Sequence, residues 1–394
     1  MKTTIKQLTM LAVAAMAGAQ SVFAQLNVPS DGSDGVLNIT TNTVIDLSKA
    51  SYSVWNQNNA TNAGNGIYDP AKWAVVFKYS SVNIASNATI TFLNHPSHAP
   101  VVWLVQSNVA VVGSVSLDGR QLVYDPIARL FPNEPAPGRF RGGAIGALGY
   151  GAGYGPNGGS AGDGQGGAYG STYGNPQAIP LIGGSGSGPG VHYGVANNGP
   201  SGGGAVLIAA GGTVTINGHV TANGSGINGS GTDGGTDYSG GGAIRIVANS
   251  IQGSGSVSAA VVRTEANSIS QNLVITPNTI IVPPGTTPVI WPATNAPTVT
   301  VISVNGASAP SDPLAGVLTS SDVNISTNNP VDIMLQAQNF PPSGVVVVRV
   351  TPKYANYFNV NASYVSGTFA QSTWKATTTF PNGFCVLQAH ATSP

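Results

Sequence analysis

The sequence has little charge. Of its 394 residues, 14 are Lys or Arg and 14 are Asp or Glu, 7 % in all, and the formal net charge is zero. An ordinary globular chain carries roughly a quarter charged residues. No basic field is therefore available to hold nucleic acid or an anionic lipid surface, and neither partner is expected. A single cysteine, Cys385, excludes an internal disulfide, so the fold must stand on strand pairing and packing. No apolar run reaches the roughly 20 residues of a spanning helix, and no membrane span is expected. Matches to G-x-G-x-x-G do occur among the glycines, but no strand-to-helix context surrounds them, and no cofactor is expected.

What is present begins with an export signal. Lys2 and Lys6 precede the apolar stretch Leu8 to Ala19, and Val22-Phe23-Ala24 offers a small-residue cleavage site, so residues 1–24 are expected to be removed. Residues 25–70 then read as the cap of a repeat structure, since an uncapped end would expose strand edges and core. Within it, Asp31-Gly32-Ser33-Asp34-Gly35 has oxygens at the spacing of a calcium loop, but it lacks a downstream bidentate acid, and Asp-Gly pairs are ordinary turn formers.

The region 71–270 carries the repeat. Ala99 to Gly119, Ala205 to Gly224 and Ala243 to Ala259 each contain an apolar strand, a turn, an alternating strand, a Gly or Gly-Ser, and another alternating strand. Trp73 to Phe92 overlays the first of these at an offset of about 26 residues, placing Val75 on Val101, Phe77 on Trp103, Val82 on Val109 and Ile84 on Val111. Such a period predicts coils of a parallel β-helix, or solenoid. Val109, Val111, Val115, Leu117, Val214, Ile216, Val220, Ile251 and Val257 should then point inward. The same strands could build an antiparallel sandwich; their constant order within each repeat favours the solenoid.

Most of the 53 glycines fall between Gly138 and Gly255, many in an insertion spanning 120–201. Ordering glycine is entropically costly, and the run has few apolar groups to offset it. The insertion is expected either to be mobile or to lie against the solenoid as extended glycine segments, re-entering at the Gly-Gly-Gly-Ala of 202–205. Residues 271–297, with prolines at 277, 283, 284, 288, 292 and 297, read as a stiff linker. From 298 to 394 β-branched runs at regular intervals predict an immunoglobulin-like β-sandwich, with Cys385 a buried small hydrophobe. The predicted fold class is thus all-β: a solenoid with a long glycine-rich insertion, followed by a sandwich.

Three groups of residues are candidates for chemistry. His95 and His98 stand three apart in a proline-containing turn, which suits a polar turn better than a metal site. Asp118, Arg120, Asp125, Arg129, Arg139 and Arg141 gather where the second coil exits, either as the rim of a carbohydrate-cleaving groove or as a polar exit into the insertion. Tyr150, Tyr154, Tyr169, Tyr173 and Tyr193, set among Gly and Ser, could stack on sugars or other surfaces or could anchor the loop; they are the ligand-binding candidates. No catalytic or metal-ligating residue stands out.

The order DGSDG, IYDPAKWAVVFKYSSVNI, NHPSHAPVVWLV, GSVSLDGR, GGGAVLIAAGGTVTINGHVTANG, SGGGAIRIVANSI and VRTEAN resembles a group of uncharacterised exported bacterial proteins of parallel β-helix type, and the pectin-lyase-like superfamily in fold only. That resemblance implies export to the extracellular space or the outer cell surface of a bacterium. The expected function is structural or adhesive and not catalytic. The alternative is a protein that binds or cleaves polysaccharide in a groove on the solenoid face. Expected partners are polysaccharide, other surface proteins or a second copy of the chain.

Overall fold

The computed structural model describes residues 25–119, 136–146, 149–161, 170–172, 174–192, 195–225, 239–279, 281–314, 321–327 and 330–393. The regular elements are strands and two short 3-10 turns, with no α-helix among the described residues. Two bodies of sheet dominate: parallel sheets curled around one core, and a seven-stranded antiparallel sheet at the C-terminus.

The parallel part consists of three ladders. The first stacks the N-terminal half of Ala74–Ile84 with Val101–Val105, Ala205–Ala210, Ala243–Val247, Val261–Glu265 and Ile281–Val282. The second stacks Gly35–Ile39, the C-terminal half of Ala74–Ile84, Val109–Val111, Thr213–Ile216, Ser250–Gln252 and Ser268–Ile269. The third stacks Thr43–Asp46, Thr89–Leu93, Ser114–Ser116, His219–Ala222, Ser256–Ala259 and Val274–Thr276. The pairs drawn from sequence, Val75 with Val101, Phe77 with Trp103, Val82 with Val109 and Ile84 with Val111, are register partners.

Side-chain alternation explains the core. Column after column of like residues stacks along the ladders, such as Val75, Val101, Val206, Ile244 and Val262, or Ile90, Val115, Val220, Val257 and Ile275. All nine residues expected to point inward are buried in this core. The first ladder is apolar on both faces, because its outer face (Val76, Val102, Leu104, Leu207, Ala209) is covered by Leu26, Val28, Trp55, Ile290 and Trp291. This double burial accounts for its continuous apolar strands, against the alternating pattern of the other two ladders.

The corner between the second and third ladders demands glycine. Gly113, Gly218 and Gly255 stack above one another: a Cβ on Gly218 would lie 1.8 Å from the Gly113 carbonyl oxygen, and one on Gly255 2.0 Å from that of Gly218. Outside, polar side chains form their own short stacks, Asn83 on Asn38 at 2.9 Å, Thr213 on Ser250 at 3.0 Å and Asn267 on Asn249 at 2.9 Å.

Two features add to the sequence reading. Residues 261–276 add a further round to all three ladders, and Ile281–Val282 adds one more strand to the first. The stretch 271–297, expected as a stiff linker, therefore begins inside the ladders with Val274–Thr276, and its Ile290 and Trp291 pack on the outer face of the first. The described glycine-rich residues, for their part, are laced to one another by backbone hydrogen bonds, including Gly183 N–H to Gly138 O, Gly184 N–H to Gly203 O, Gly203 N–H to Gly240 O and Gly199 N–H to Gly143 O. Their backbones approach so closely that a Cβ on Gly142 would sit 1.7 Å from the Gly199 oxygen.

The C-terminal sheet runs in the order Ala307–Ser308, Thr298–Val304, Val331–Gln338, Gln371–Thr378, Phe358–Gly367, Val345–Pro352, Cys385–Thr392. Phe358–Gly367 pairs with Val345–Pro352 through its first half and with Gln371–Thr378 through its second, so the sheet folds over on itself in a sandwich-like manner. Val331, Ile333, Leu335 and Ala337 face the enclosed core with Val346, Val348, Val350 and Trp374. Cys385 is half-buried against this core, and burial pushes its thiol up to about 11.

Candidate functional site

Of the five tyrosines expected to bind a ligand, Tyr150 and Tyr154 are among the described residues. Tyr150 is half-buried on a two-residue strand opposite Ile145. Tyr154 is buried at 3 % exposure, which leaves its ring no open face for a ligand, and burial drives its hydroxyl above the usual phenol range. Tyr169, Tyr173 and Tyr193 lie outside the described residues.

The polar candidates are engaged within the fold. Asp118 accepts from Thr221 Oγ1 at 2.7 Å and from the Asn223 N–H at 2.7 Å, tying two neighbouring strands together. Arg139, 2 % exposed, donates to the carbonyls of Asp118 and Gly202, and Arg141 is buried beside it. Arg120, Asp125 and Arg129 lie outside the described residues. In the DGSDG loop, one Asp34 oxygen accepts from Asn59 Nδ2 at 2.7 Å and from the N–H groups of Gly64 and Gly66, and the other from the Lys78 N–H at 2.7 Å. Asp31 pairs with the buried Lys78 ammonium at 3.0 Å. Both carboxylates thus organise the cap. His95 Nδ1 accepts from the Ser97 N–H, and the His98 N–H closes the turn on the His95 carbonyl. The His95 ring stacks on Tyr68 at 3.9 Å, and its burial lowers the imidazole pKa. No group of three or more His, Cys, Asp or Glu able to hold a metal occurs among the described residues.

A cleft opens on the outer face of the first ladder. Its volume is about 260 Å³, below the roughly 300–1,000 Å³ of drug-sized ligand sites, which suits an occupant of one ring. The floor is Val102, Leu207 and Arg245; the walls include Lys72, Trp73, Pro180 and Trp291. Local sequence builds each wall. Asp69 accepts from the N–H groups of Trp55 and Ala71, which shapes the turn that presents Lys72 and Trp73. Trp73 has a left-handed backbone, φ 45°, costly for a bulky residue, and its indole is fixed by donation to the Ser97 carbonyl at 2.9 Å. Arg245, 1 % exposed, is held by Glu265 through Nε at 3.0 Å and Nη2 at 2.9 Å; its Nη1 donates to the Val289 carbonyl at 2.7 Å and so anchors the segment that carries Trp291. Trp291 meets Trp55 at 5.5 Å between ring centroids, and the Lys72 ammonium lies 5.8 Å from the Trp291 ring.

This arrangement can stack a flat group against indole and offer it a cation. Among the described residues that line it there is no carboxylate. Sequence reasoning missed it because Trp73 and Trp291 are 218 positions apart in an otherwise apolar setting; the prolines around Trp291 pointed to a linker instead. No family model matches this chain, and no curated protein or solved structure is similar to it at a significant level.

Proposed function

We propose that the chain is an exported structural or adhesive protein, a parallel β-helix followed by an immunoglobulin-like sandwich, without catalytic activity. The solenoid reading is supported by three parallel ladders that receive their strands in the same order from each successive repeat. The functional reading rests on one observation: the charged side chains of the repeats, Lys78, Asp118, Arg245, Arg263 and Glu265, are all engaged with one another or with neighbouring groups of the fold. A lyase or glycosidase groove requires at least one acid or base facing the substrate. The ladders serve here as a spacer, and the outer surfaces make the contacts.

The aromatic cleft favours a second reading, a polysaccharide-binding protein that seats one sugar ring on Trp291. Purified mature protein tested on a broad panel of polysaccharides, for both retention and release of chain ends, separates the two. Release of reducing or unsaturated ends refutes the non-catalytic proposal. Retention that is lost in Trp291→Ala supports the second reading, and a protein that neither retains nor cleaves leaves the structural role.

A further inference from the structure

The described residues 138–204 of the glycine-rich region belong to no hydrophobic core cluster, yet they are ordered, chiefly by hydrogen bonds between backbone groups. Fixing each backbone costs about 1–2 kcal/mol, more for glycine, and buried apolar area is not there to offset it. Something outside the region must hold it. One flank is tied to the ladders through the Gly204 N–H on the Leu117 carbonyl. The other flank meets the outer face of the C-terminal sheet, roughly 200 residues further along the chain.

Arg349 is the centre of that contact. It projects from Val345–Pro352, is 5 % exposed, and has no carboxylate partner among the described residues. Its Nη2 donates to the Gly158 carbonyl at 2.8 Å and the Gly153 carbonyl at 3.4 Å, its Nη1 to the Pro156 carbonyl at 3.5 Å, and its guanidinium stacks on Tyr357 at 3.5 Å. A buried cation without a counter-ion needs its donors met, and here backbone oxygens from one glycine loop accept from both terminal nitrogens, Nη1 and Nη2, while Nε has no hydrogen-bond partner among the described residues. That loop needs glycine: Gly155 has φ 103°, and a Cβ on Gly158 would lie 1.9 Å from the Gly153 oxygen. Three further contacts run alongside. The Ala152 N–H donates to the Ala355 carbonyl at 3.2 Å, the Ala161 N–H to Asn356 Oδ1 at 3.2 Å, and Gly151 packs so tightly that a Cβ would sit 2.1 Å from the Lys353 oxygen.

We propose that the outer face of the C-terminal sheet is the docking surface that orders the glycine-rich segment 149–161 of the same chain, with Arg349 as the positioning residue that gathers its carbonyls. The face recognises backbone, and its partner is a glycine-rich loop bare enough to present three carbonyls to one guanidinium. Because Arg349 is synthesised after that loop, the segment gains its order only once the C-terminal sheet has formed.

Hydrogen–deuterium exchange on the full mature protein tests it, reading peptides from 149–161 against peptides from the ladder strands 101–105 and 205–210. Arg349→Ala should speed exchange in 149–161 by about tenfold or more and leave the ladders unchanged. Arg349→Lys keeps the charge but not the fork, and should restore part of the protection. Lys375→Ala, which breaks the exposed pair with Asp332, should leave 149–161 as in the parent protein. Unchanged exchange in 149–161 on loss of Arg349 overturns the proposal, as does an equal rise across ladders and loop. If Arg349→Ala does not accumulate folded, Tyr357→Ala is read by the same criteria.

Discussion

Trp103 gives a prediction in which two opposing effects can be weighed. It lies fully buried in the first ladder, in edge contact with Tyr79 at 6.0 Å and tilted against Phe92 at 6.4 Å. Its indole N–H is buried with no hydrogen-bond partner among the described residues. Trp103→Ala removes the whole ring from a column whose neighbours, Phe77 and Ile208, are fixed by the ladder; such truncations cost about 3–5 kcal/mol. Trp103→Phe keeps most of the ring. It loses apolar contact on the order of 1–2 kcal/mol, but it also removes a desolvated donor whose unmet hydrogen bond costs about 1–3 kcal/mol. The two nearly cancel, so Trp103→Phe should stay within about 1 kcal/mol of the parent while Trp103→Ala falls by several. Urea unfolding followed by far-ultraviolet circular dichroism, with the slope checked for constancy, measures both. If Trp103→Phe loses as much as Trp103→Ala, the indole N–H has a partner and the reasoning is wrong.

Gly218→Ala places a methyl 1.8 Å from the Gly113 carbonyl, and with backbone on both sides it should destabilise the ladders by at least the 1–3 kcal/mol typical of overpacking, read as a fall in the urea midpoint. Glu265→Gln leaves the 1 %-exposed Arg245 without its carboxylate; about 3–5 kcal/mol should be lost, and protease cleavage near Val289–Trp291 should rise. The Cys385 thiol, pushed up to about 11 from a reference of 9.0, should react with a disulfide reagent at pH 8 about 100-fold more slowly than an exposed thiol, by its thiolate fraction alone. The sign of its linkage follows: the neutral thiol is favoured in the folded state, so its contribution to stability is present below pH 9 and lost as pH rises towards 11. Asp312→Ala frees the hydroxyls of Tyr68, now at 2.5 Å, and Tyr52, now at 3.3 Å, and should raise hydrogen exchange across 305–314 without changing the ladders.

Much of the fold was legible from side-chain pattern. The ladder registers followed from apolar alternation, because each round must place Val or Ile over Val or Ile to fill one narrow interior. The Gly and Gly-Ser of each repeat marked the corner, where only hydrogen fits between stacked carbonyls. The round 261–276 is not legible as a separate repeat, although 261–270 fell within the expected solenoid, because its inward positions include Thr264 and its strands are as short as Ser268–Ile269, which blurs the alternation. The strand Phe358–Gly367 buries only part of one face: Phe358, Val360 and Ala362 pack against the core and the rest is exposed.

The candidate sites were harder. Tyr154 among glycines could be read as an exposed platform or as a loop anchor; the surrounding backbone buries it, because the glycine segments pack closely around the ring. Asp118 and Arg139 could be read as the rim of a groove or as a polar exit into the insertion, and they join neighbouring backbone segments. What the sequence by itself determined was the set of inward columns and the glycine corners, since both arise from contacts that repeat at a fixed spacing. Only the tertiary structure decided where the glycine-rich run lies, that Arg349 holds it, and that Trp73 and Trp291 share a cleft. Those contacts join residues some 200 positions apart, and many run through backbone atoms that are alike in every residue, so no local pattern encodes them.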